Sequence, residues 1–414
     1  MSARASWHSA LALLVFFACL CVVLALRILR LWRRMMNPKA HGLCSSGRSE
    51  EVPLTTMAVL GTGGHTTEMA LLLQHVSRAH YRPLVYVYTH PFCRETVEKL
   101  EESHKNVENC QFLWIARSRA VGQSWFSSAI STALAVPRAV LHVLWHQPAL
   151  LLCNGPGVCM PVCLGAVLLN VLWGRRCAIV FVESLCRVKK LSLTGKLLRY
   201  VATVFCVQWP VPGSPPWALC LAEESKDDNR PCASSASLPT AAGGSRHGLV
   251  TVGSTNFDGL ISVLDANAAE FADSLRSLGI DSVTVQIGGT SEFSPKALEA
   301  LPGFRVVRTM PRSDFLEEVE RAELIIGHAG AGTILDALSR GKRLLIVPNR
   351  TLMDDHQLEL CEALEGRHCL SCSEHEVIGA LRGGADRFRE IDCALPPHLT
   401  TSTFAKHLDS MLRT

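Results

Sequence analysis

Residues 57–67 read Met57-Ala58-Val59-Leu60-Gly61-Thr62-Gly63-Gly64-His65-Thr66-Thr67. An apolar run, a glycine-rich loop and a helix-forming stretch follow one another, which is the order strand, loop, helix. Glycine lets backbone N–H groups approach an anion closely, and the amino terminus of the helix adds partial positive charge. The stretch therefore predicts a β-α unit whose loop could hold a phosphate. A tight turn that needs glycine for steric reasons alone would read the same.

His65 stands directly behind these glycines. It could bind a phosphate or act as a base near neutral pH, or it could simply be a helix amino-terminal residue bonded to backbone. The loop lacks the G-x-G-x-x-G spacing of a dinucleotide site and the lysine of a Walker loop. The four loop residues Gly61, Thr62, Gly63 and Gly64 are thus a candidate anion site of another kind.

The alternation of short β-rich runs with helical stretches continues outward from this loop. Further apolar runs occupy residues 84–88, 112–116, 149–153, 178–183 and 204–209. A second set occupies residues 249–252, 283–287, 305–307, 323–326 and 344–347. Strands that alternate with helices predict parallel β-α-β units and doubly wound sheets. We therefore expect an α/β protein with two such domains.

Composition divides the chain into four parts. Residues 1–40 hold an apolar run with a basic flank, 52–210 the first α/β domain, 211–246 a linker rich in Pro, Ser, Ala and Gly, and 247–414 the second domain. A length of 414 residues suits two domains and a short appendage.

Residues 11–26 form the apolar run, which further apolar residues extend past Arg27. This approaches the roughly 20 residues that span a bilayer. No small-residue cleavage site follows it and most flanking basic residues lie on its carboxyl side, so we expect a retained single-pass anchor with the rest of the chain in the cytosol. The 17 cysteines show no disulfide spacing, which agrees with a reducing compartment.

The overall composition excludes two classes of protein. A hydrophobic share of 48% with 19% charged residues argues for folded material and a membrane component, and against disorder. A net charge of +4 without a basic stripe gives no support for nucleic-acid binding. The largely apolar stretch at residues 124–145 could be an interfacial helix that presents the first domain to a membrane, or a core helix of its sheet.

Two more features follow strands of the first domain. One is the loop Asn154-Gly155-Pro156-Gly157 and the other is Glu183, at the end of the next strand. Because open α/β sheets bind ligands at the carboxyl ends of their strands, both could share a crevice with the first glycine loop. Glu183 could accept a proton from a sugar hydroxyl, or it could cap the helix that follows.

The second domain repeats the strand, loop, helix order at its own glycine loop, whose residues are His328, Ala329, Gly330, Ala331, Gly332 and Thr333. Backbone donors, a hydroxyl and a helix dipole there could hold a diphosphate. Asp336 could reach the two ribose hydroxyls, or its negative charge could simply interact favourably with the helix dipole when no ligand is present. Asn349 ends the next strand, and His356 and Gln357 offer donors and acceptors that suit sugar hydroxyls.

Longer strings carry a resemblance to a known family. The second domain closely resembles the catalytic subunit of the eukaryotic UDP-N-acetylglucosamine transferase of dolichol-linked oligosaccharide synthesis. Its matching strings are Thr251-Val252-Gly253-Ser254-Thr255-x-Phe257-Asp258, His328-Ala329-Gly330-Ala331-Gly332-Thr333 and Leu352-Met353-Asp354-Asp355-His356-Gln357-Leu358-Glu359-Leu360.

The first domain resembles the membrane-anchoring partner of that subunit. Its matching strings are Gly61-Thr62-Gly63-Gly64-His65-Thr66-Thr67-Glu68, Arg117-Ser118-Arg119-x-Val121-Gly122-Gln123-Ser124-Trp125, Glu183-Ser184-Leu185-Cys186-Arg187-Val188 and Leu191-Ser192-Leu193-Thr194-Gly195-Lys196. Because the two subunits are separate chains in most eukaryotes, this chain looks like a fusion of the two.

The resemblance implies a GT-B architecture, in which two Rossmann-like domains face a cleft, and inverting chemistry with neither a metal nor another cofactor. It also implies the reaction, which is addition of the second N-acetylglucosamine (GlcNAc), β1,4-linked, from UDP-GlcNAc to GlcNAc-diphospho-dolichol at the cytosolic face of the endoplasmic reticulum membrane. Association with other transferases of that pathway would follow. The chain is also more distantly similar to the bacterial transferase that makes lipid II. That resemblance implies that the acid at position 336 contacts the ribose and that His356 and Gln357 contact the sugar.

The sequence departs from the family pattern at two positions. Asp336 stands where glutamate is usual, and Asp355 replaces a usual asparagine. The shorter side chain of Asp336 weakens the predicted ribose contact. No D-x-D pair is present to bind a metal ion, and the adjacent Asp354 and Asp355 are only a weak metal candidate.

These residues define the predicted mechanism. The donor would be bound by Gly253, Ser254, Thr255 and the second-domain residues named above, whose backbone donors and helix dipole would stabilise the departing UDP. The acceptor diphosphate would rest on the first glycine loop with Asn154, Gly155 and Gly157. His65, or else Glu183, would deprotonate the 4-hydroxyl. Two alternatives stay open: a transferase for another nucleotide sugar and lipid, and a membrane scaffold that recruits a separate catalytic chain.

Overall fold

The computed structural model describes residues 53–117, 125–155, 157–173, 177–224, 246–253, 256–349, 356–400 and 402–413. The predicted amino-terminal anchor lies outside these residues, as does most of the predicted linker. Within the described ranges, no helix combines the length and the apolar character that crossing a bilayer demands.

A parallel sheet of seven strands forms the first unit, in the order β3-β2-β1-β4-β5-β6-β7. The inner strands are buried on both faces, which explains why they read as continuous apolar runs. The strands are β1 (Thr56–Val59), β2 (Leu84–Tyr88), β3 (Cys110–Trp114), β4 (Leu150–Asn154), β5 (Ala178–Val182), β6 (Val204–Val207) and β7 (Leu219–Cys220).

Helices cover both faces of this sheet. One face carries α1 (Gly64–Leu73) and α2 (Pro91–Ser103), and the other carries α3 (Trp125–His146), α4 (Cys159–Trp173) and α5 (Leu193–Leu198). A short helix, α6 (Leu221–Glu224), follows β7. Because β7 pairs with β6, the first sheet extends beyond residue 210, where the composition placed the start of the linker.

A second parallel sheet of six strands has the order β10-β9-β8-β11-β12-β13. Its strands are β8 (Arg246–Thr251), β9 (Ile280–Gln286), β10 (Phe304–Val307), β11 (Ala322–His328), β12 (Arg343–Val347) and β13 (Leu370–Ser371). The helices of this half of the chain are α7 (Asp258–Ala266), α8 (Ala268–Ser277), α9 (Lys296–Glu299), α10 (Arg312–Arg321), α11 (Ala331–Leu338), α12 (His356–Leu364), α13 (Val377–Arg382), α14 (Gly384–Arg389), α15 (Pro397–Thr400) and α16 (Thr403–Arg413). The prediction of two α/β domains is confirmed.

The last helix belongs to the first unit by packing. Phe404, Ala405 and Leu408 of α16 are buried in the cluster that covers the α1 face of the first sheet, and the Tyr81 hydroxyl donates to Asp409 at 2.6 Å. The predicted domain at residues 247–414 is therefore wrong at its end, since the apolar face of α16 finds its partners on the other unit.

Candidate functional site

The first glycine loop joins β1 to α1 and is fixed by its own hydrogen bonds. Gly63 precedes the helix with a φ of 65°, a left-handed conformation that strains other residues. The Thr66 hydroxyl donates to the carbonyl of Gly61, and the Cys93 thiol lies 3.4 Å from the same oxygen. The turn itself thus explains the glycine at position 63, and the loop is a rigid element.

A cation that the sequence analysis did not single out stands at the mouth of this loop. The exposed guanidinium of Arg117 donates to the Thr62 hydroxyl at 3.4 Å. Arg117 follows β3, whose carboxyl end lies at the same edge of the sheet as that of β1. Its position in the matched string Arg117-Ser118-Arg119 was the only sequence signal for it.

The glycine loops of the two units meet. A Cβ added to Gly64 would lie 2.7 Å from the backbone nitrogen of Gly332 and 2.9 Å from the Cβ of Ala331. Helices α1 and α11 therefore begin against each other, with their positive ends at one place in the cleft. The structure brings together the loops predicted to hold the acceptor and the donor, and packing requires the glycine at position 64.

His65 lies over the second glycine loop. A Cβ on Gly155, whose φ is 65°, would come within 2.6 Å of the imidazole Cε1. The Nδ1 atom is buried without a hydrogen-bond partner among the described residues, while 30% of the side chain is exposed. Burial lowers the pKa of His65 to about 4, against the opposing effect of Asn154. The imidazole is therefore neutral at neutral pH, which is the form that can accept a proton.

Glu68 is a buried carboxylic acid that the sequence analysis quoted only as part of a matching string. It accepts hydrogen bonds from the Asn154 amide at 2.9 Å, the Ser184 hydroxyl at 3.0 Å and the backbone N–H of Leu185 at 3.2 Å. Burial raises its pKa to about 7. Its spacing from His65, three residues along one helix, is the signal that places both on one face.

Asn154 and Gly157 are the other residues predicted from the second loop. The Asn154 side chain is fully buried and donates to Glu68, so its amide nitrogen serves the loop framework. A Cβ added to Gly157 would meet no described residue within 4 Å apart from its chain neighbours. Of the two, Gly157 has room beside it for a ligand.

Glu183 is held inside the protein by the segment that follows it. Its Oε2 accepts from the backbone N–H of Ser192 at 2.9 Å and from the Ser192 hydroxyl at 3.0 Å, and its Oε1 from the backbone N–H of Ser184. Ser192 in turn caps α5. Burial raises the pKa of Glu183. The geometry favours a structural role over the role of base, because the carboxylate is fully buried and holds Ser192, the residue that caps the helix.

In the second unit, the imidazole of His328 occupies the cradle formed by the predicted donor glycines. A Cβ on Gly253, whose φ is 72°, would lie 2.6 Å from the ring, and one on Gly330 would overlap it. Burial lowers the pKa of His328 to about 4. The glycines at both positions are therefore needed to admit this neutral ring. Thr333 lies one turn further along α11, where its methyl group faces Gly327.

Asp336 does not point freely toward a ligand. Both of its carboxylate oxygens accept from the guanidinium of Arg312, at 2.5 Å each. Arg312 also lies over the rings of Phe92 from the first unit and Phe315 from the second. The arrangement favours a buried ion pair at the junction of the units over the predicted ribose contact.

The remaining predicted donor residues are placed as follows. The Asn349 amide donates to the carbonyl of Asn256 at 3.3 Å, which is a framework contact. The Gln357 Oε1 is buried without a hydrogen-bond partner in the described part of the chain, as expected of a group that receives a donor from a ligand. Ser254, Thr255, the pair Asp354 and Asp355, and the side chain of His356 lie outside the described residues.

Two family models match the chain. Residues 56–212 match "Oligosaccharide biosynthesis protein Alg14 like", and residues 248–381 match "Glycosyltransferase family 28 C-terminal domain". The chain is 40% identical over 166 residues to the mouse (Mus musculus) UDP-N-acetylglucosamine transferase subunit ALG14, an alignment that covers 38% of this chain and 76% of the relative. The subunit ALG14 of Yarrowia lipolytica is 38% identical over 157 residues, which are 37% of this chain and 73% of the relative.

Solved structures of the same fold cover both units. MurG of Acinetobacter baumannii superimposes with a TM-score of 0.53 at 16% identity, over 87% of this chain and 99% of MurG. The UDP-GlcNAc 2-epimerase of Neisseria meningitidis gives 0.56 at 12% identity, over 87% of this chain and 100% of the epimerase. At such identities the likeness shows a shared two-unit fold.

Proposed function

This chain belongs to the Alg14 family, and because it joins its Alg14 region to a family 28 glycosyltransferase domain in one polypeptide, we propose that it is a self-sufficient, inverting GlcNAc transferase. The donor is UDP-GlcNAc and the acceptor is GlcNAc-diphospho-dolichol. The product carries a second GlcNAc in β1,4 linkage. The enzyme works at the cytosolic face of the endoplasmic reticulum membrane.

The contact between Gly64 and Gly332 carries the proposal. It places a loop of the Alg14 region against a loop of the transferase domain, so neither unit alone holds the complete site. Two helix amino termini in one cleft favour the negative charge of a donor and an acceptor diphosphate. A scaffold that only recruits another chain has no need of this juxtaposition.

The proposed transfer step uses residues of both units. His65 takes the proton of the acceptor 4-hydroxyl while that oxygen bonds to C1 of the donor sugar, and the bond from C1 to UDP breaks on the opposite face. UDP leaves with the bonding electron pair. The amino terminus of α11, with Gly330 as its N-cap and Thr333 in its first turn, stabilises the charge that develops on the leaving phosphate.

Transfer of radiolabelled GlcNAc from UDP to a synthetic phytanyl-diphospho-GlcNAc tests this function. The purified full chain is used with EDTA present. We expect a β1,4-linked disaccharide lipid, which a β1,4-specific hexosaminidase digests. If the purified chain forms no product alone but does so once a second protein is added, the result would instead support the scaffold alternative. Preference for a competing nucleotide sugar over UDP-GlcNAc would show that the donor is wrong.

The first unit has a surface suited to a lipid acceptor. Exposed apolar side chains lie on α3, which includes Leu134 at 74% and Trp145 at 85% exposure, and others lie on α4 and α5, which cover the same sheet face. Residues 109–182 contain no Asp or Glu. An apolar surface without negative charge fits an anionic bilayer, which supports the interfacial alternative for residues 124–145.

The double variant Leu134→Glu and Trp145→Glu tests this surface. Full burial of a large apolar side chain contributes about 1.5–3 kcal/mol, so we expect the KM for a long-chain acceptor in anionic vesicles to rise by about 10-fold or more. The KM for UDP-GlcNAc should not change. Val107→Glu, at an exposed apolar residue outside these helices, is the control. Equal acceptor KM values for the double variant and the wild type would refute membrane contact by α3.

A further inference from the structure

Glu68 lies under the candidate base and connects the segments that surround it. Its carboxylate holds Asn154 at the end of β4 and residues Ser184 and Leu185 after β5. It is 1% exposed, so solvent does not satisfy it. The mechanism proposed above gives this buried acid no part.

The orientation of His65 directs one ring nitrogen toward Glu68. His65 Nδ1 lies 4.0 Å from Glu68 Oε1 and is buried, with no hydrogen-bond partner among the residues that the structure describes. The edge formed by Cε1 and Nδ1 faces Gly155. Because 30% of the side chain is exposed and Nδ1 is buried, Nε2 is the ring nitrogen left to meet an acceptor.

We propose, on the basis of the function proposed above, that Glu68 is a positioning residue of the transfer step. Its carboxylate faces Nδ1 and stabilises the imidazolium that forms when Nε2 takes the proton of the acceptor 4-hydroxyl. The oxygen so freed bonds to C1 of the donor sugar, UDP leaves with the electron pair, and His65 later releases the proton to solvent. Glu68 acts through His65 and touches no substrate.

The energetics of the two groups support this pairing. Burial raises the pKa of Glu68 to about 7 and lowers that of His65 to about 4, so each charge is unfavourable when it stands alone. A carboxylate that faces an imidazolium offsets both penalties. Arg187 also acts on His65 and disfavours the imidazolium, whereas the carboxylate of Glu68, 4.0 Å from Nδ1, has the charge that favours it.

The alternative is that Glu68 serves only as a framework for the loops. Glu68→Gln separates the two roles, because the amide oxygen can still accept from Asn154 and Leu185 while its NH2 group donates to the Ser184 hydroxyl. The framework is kept and the negative charge is lost. We expect kcat to fall by about 10- to 100-fold, with KM for both substrates and the unfolding midpoint close to those of the wild type.

Glu101→Gln is the matched control. Glu101 is another fully buried glutamate of the first unit, held by Arg78, Tyr86 and Asn106. This variant should lower the unfolding midpoint and leave the kcat of the folded enzyme unchanged. A Glu68→Gln enzyme with the same pattern, lower stability and normal kcat, would overturn the inference.

A double-mutant cycle with His65→Ala completes the test. If Glu68 acts through His65, the loss caused by Glu68→Gln should largely disappear once His65 is alanine. A further loss of the same size in that background would overturn the inference. A wild-type chain without transferase activity would contradict the proposed function itself. That outcome is distinguishable from an active wild type in which Glu68 has no positioning role.

Discussion

His65→Ala is expected to lower kcat for GlcNAc transfer by about 100- to 10,000-fold, the range that loss of a general base produces. The KM values for both substrates should change little, because the imidazole contributes mainly to the transition state. The measurement is the initial rate at saturating donor and acceptor. His75→Ala, at the exposed histidine just beyond α1, is the control. Near wild-type turnover in His65→Ala would rule out this base.

The pH profile of the wild type is the companion measurement. Because burial lowers the pKa of His65 to about 4, the neutral base is present throughout the neutral range. Protonation of His65 should therefore reduce the rate only as the pH approaches that value, whereas protonation of Glu68, whose pKa burial raises to about 7, should already lower the rate by the factor that Glu68→Gln loses. In Glu68→Gln, which lacks that titrating carboxylate, an acidic limb of kcat/KM centred on the ordinary histidine pKa near 6.5 would contradict the buried environment of His65.

Asp336→Ala is expected to cost about 3–5 kcal/mol of unfolding free energy, as when one partner of a buried ion pair is removed. The guanidinium of Arg312 would remain buried without the carboxylate that takes two of its hydrogen bonds. Denaturant unfolding measures this loss. Replacement of both partners, in Arg312→Met with Asp336→Leu, should recover most of the stability because no charge is then left alone.

Asp273→Ala is the control for this experiment, because Asp273 forms an exposed ion pair with Arg276 and should change stability little. The same variants decide between the two interpretations of Asp336. An Asp336→Ala protein of normal stability with a raised KM for UDP-GlcNAc would restore the predicted ribose contact.

The strand pattern was predictable because parallel strands are buried on both faces. The run at residues 84–88 coincides with β2, while the run at 112–116 lies two residues beyond β3 (Cys110–Trp114). That edge strand is only partly buried, so the apolar run in the sequence marks the ends of the strand less clearly. The two-residue strands β7 and β13 carry too few residues to show a period, and the sequence analysis missed both.

The site was predictable where its residues are local. The loop at 61–64, its helix and the crevice shared with Gly155 follow from the rule that ligands lie at the carboxyl ends of parallel strands. The partner of Asp336 was not predictable, since Arg312 lies 24 residues earlier on another helix. The same holds for α16, because nothing in an amphipathic helix states which of two units its apolar face covers.

The return of α16 to the first unit gives the molecule a second crossing between its halves. One crossing is the chain between Glu224 and Arg246, and the other lies between Arg389, where α14 ends, and Pro397, where α15 begins, because α15 packs on α1 and α6 of the first unit. The second unit is thereby tethered to the first at both ends of its chain, so any separation of the loops at Gly64 and Gly332 has to leave both connections intact.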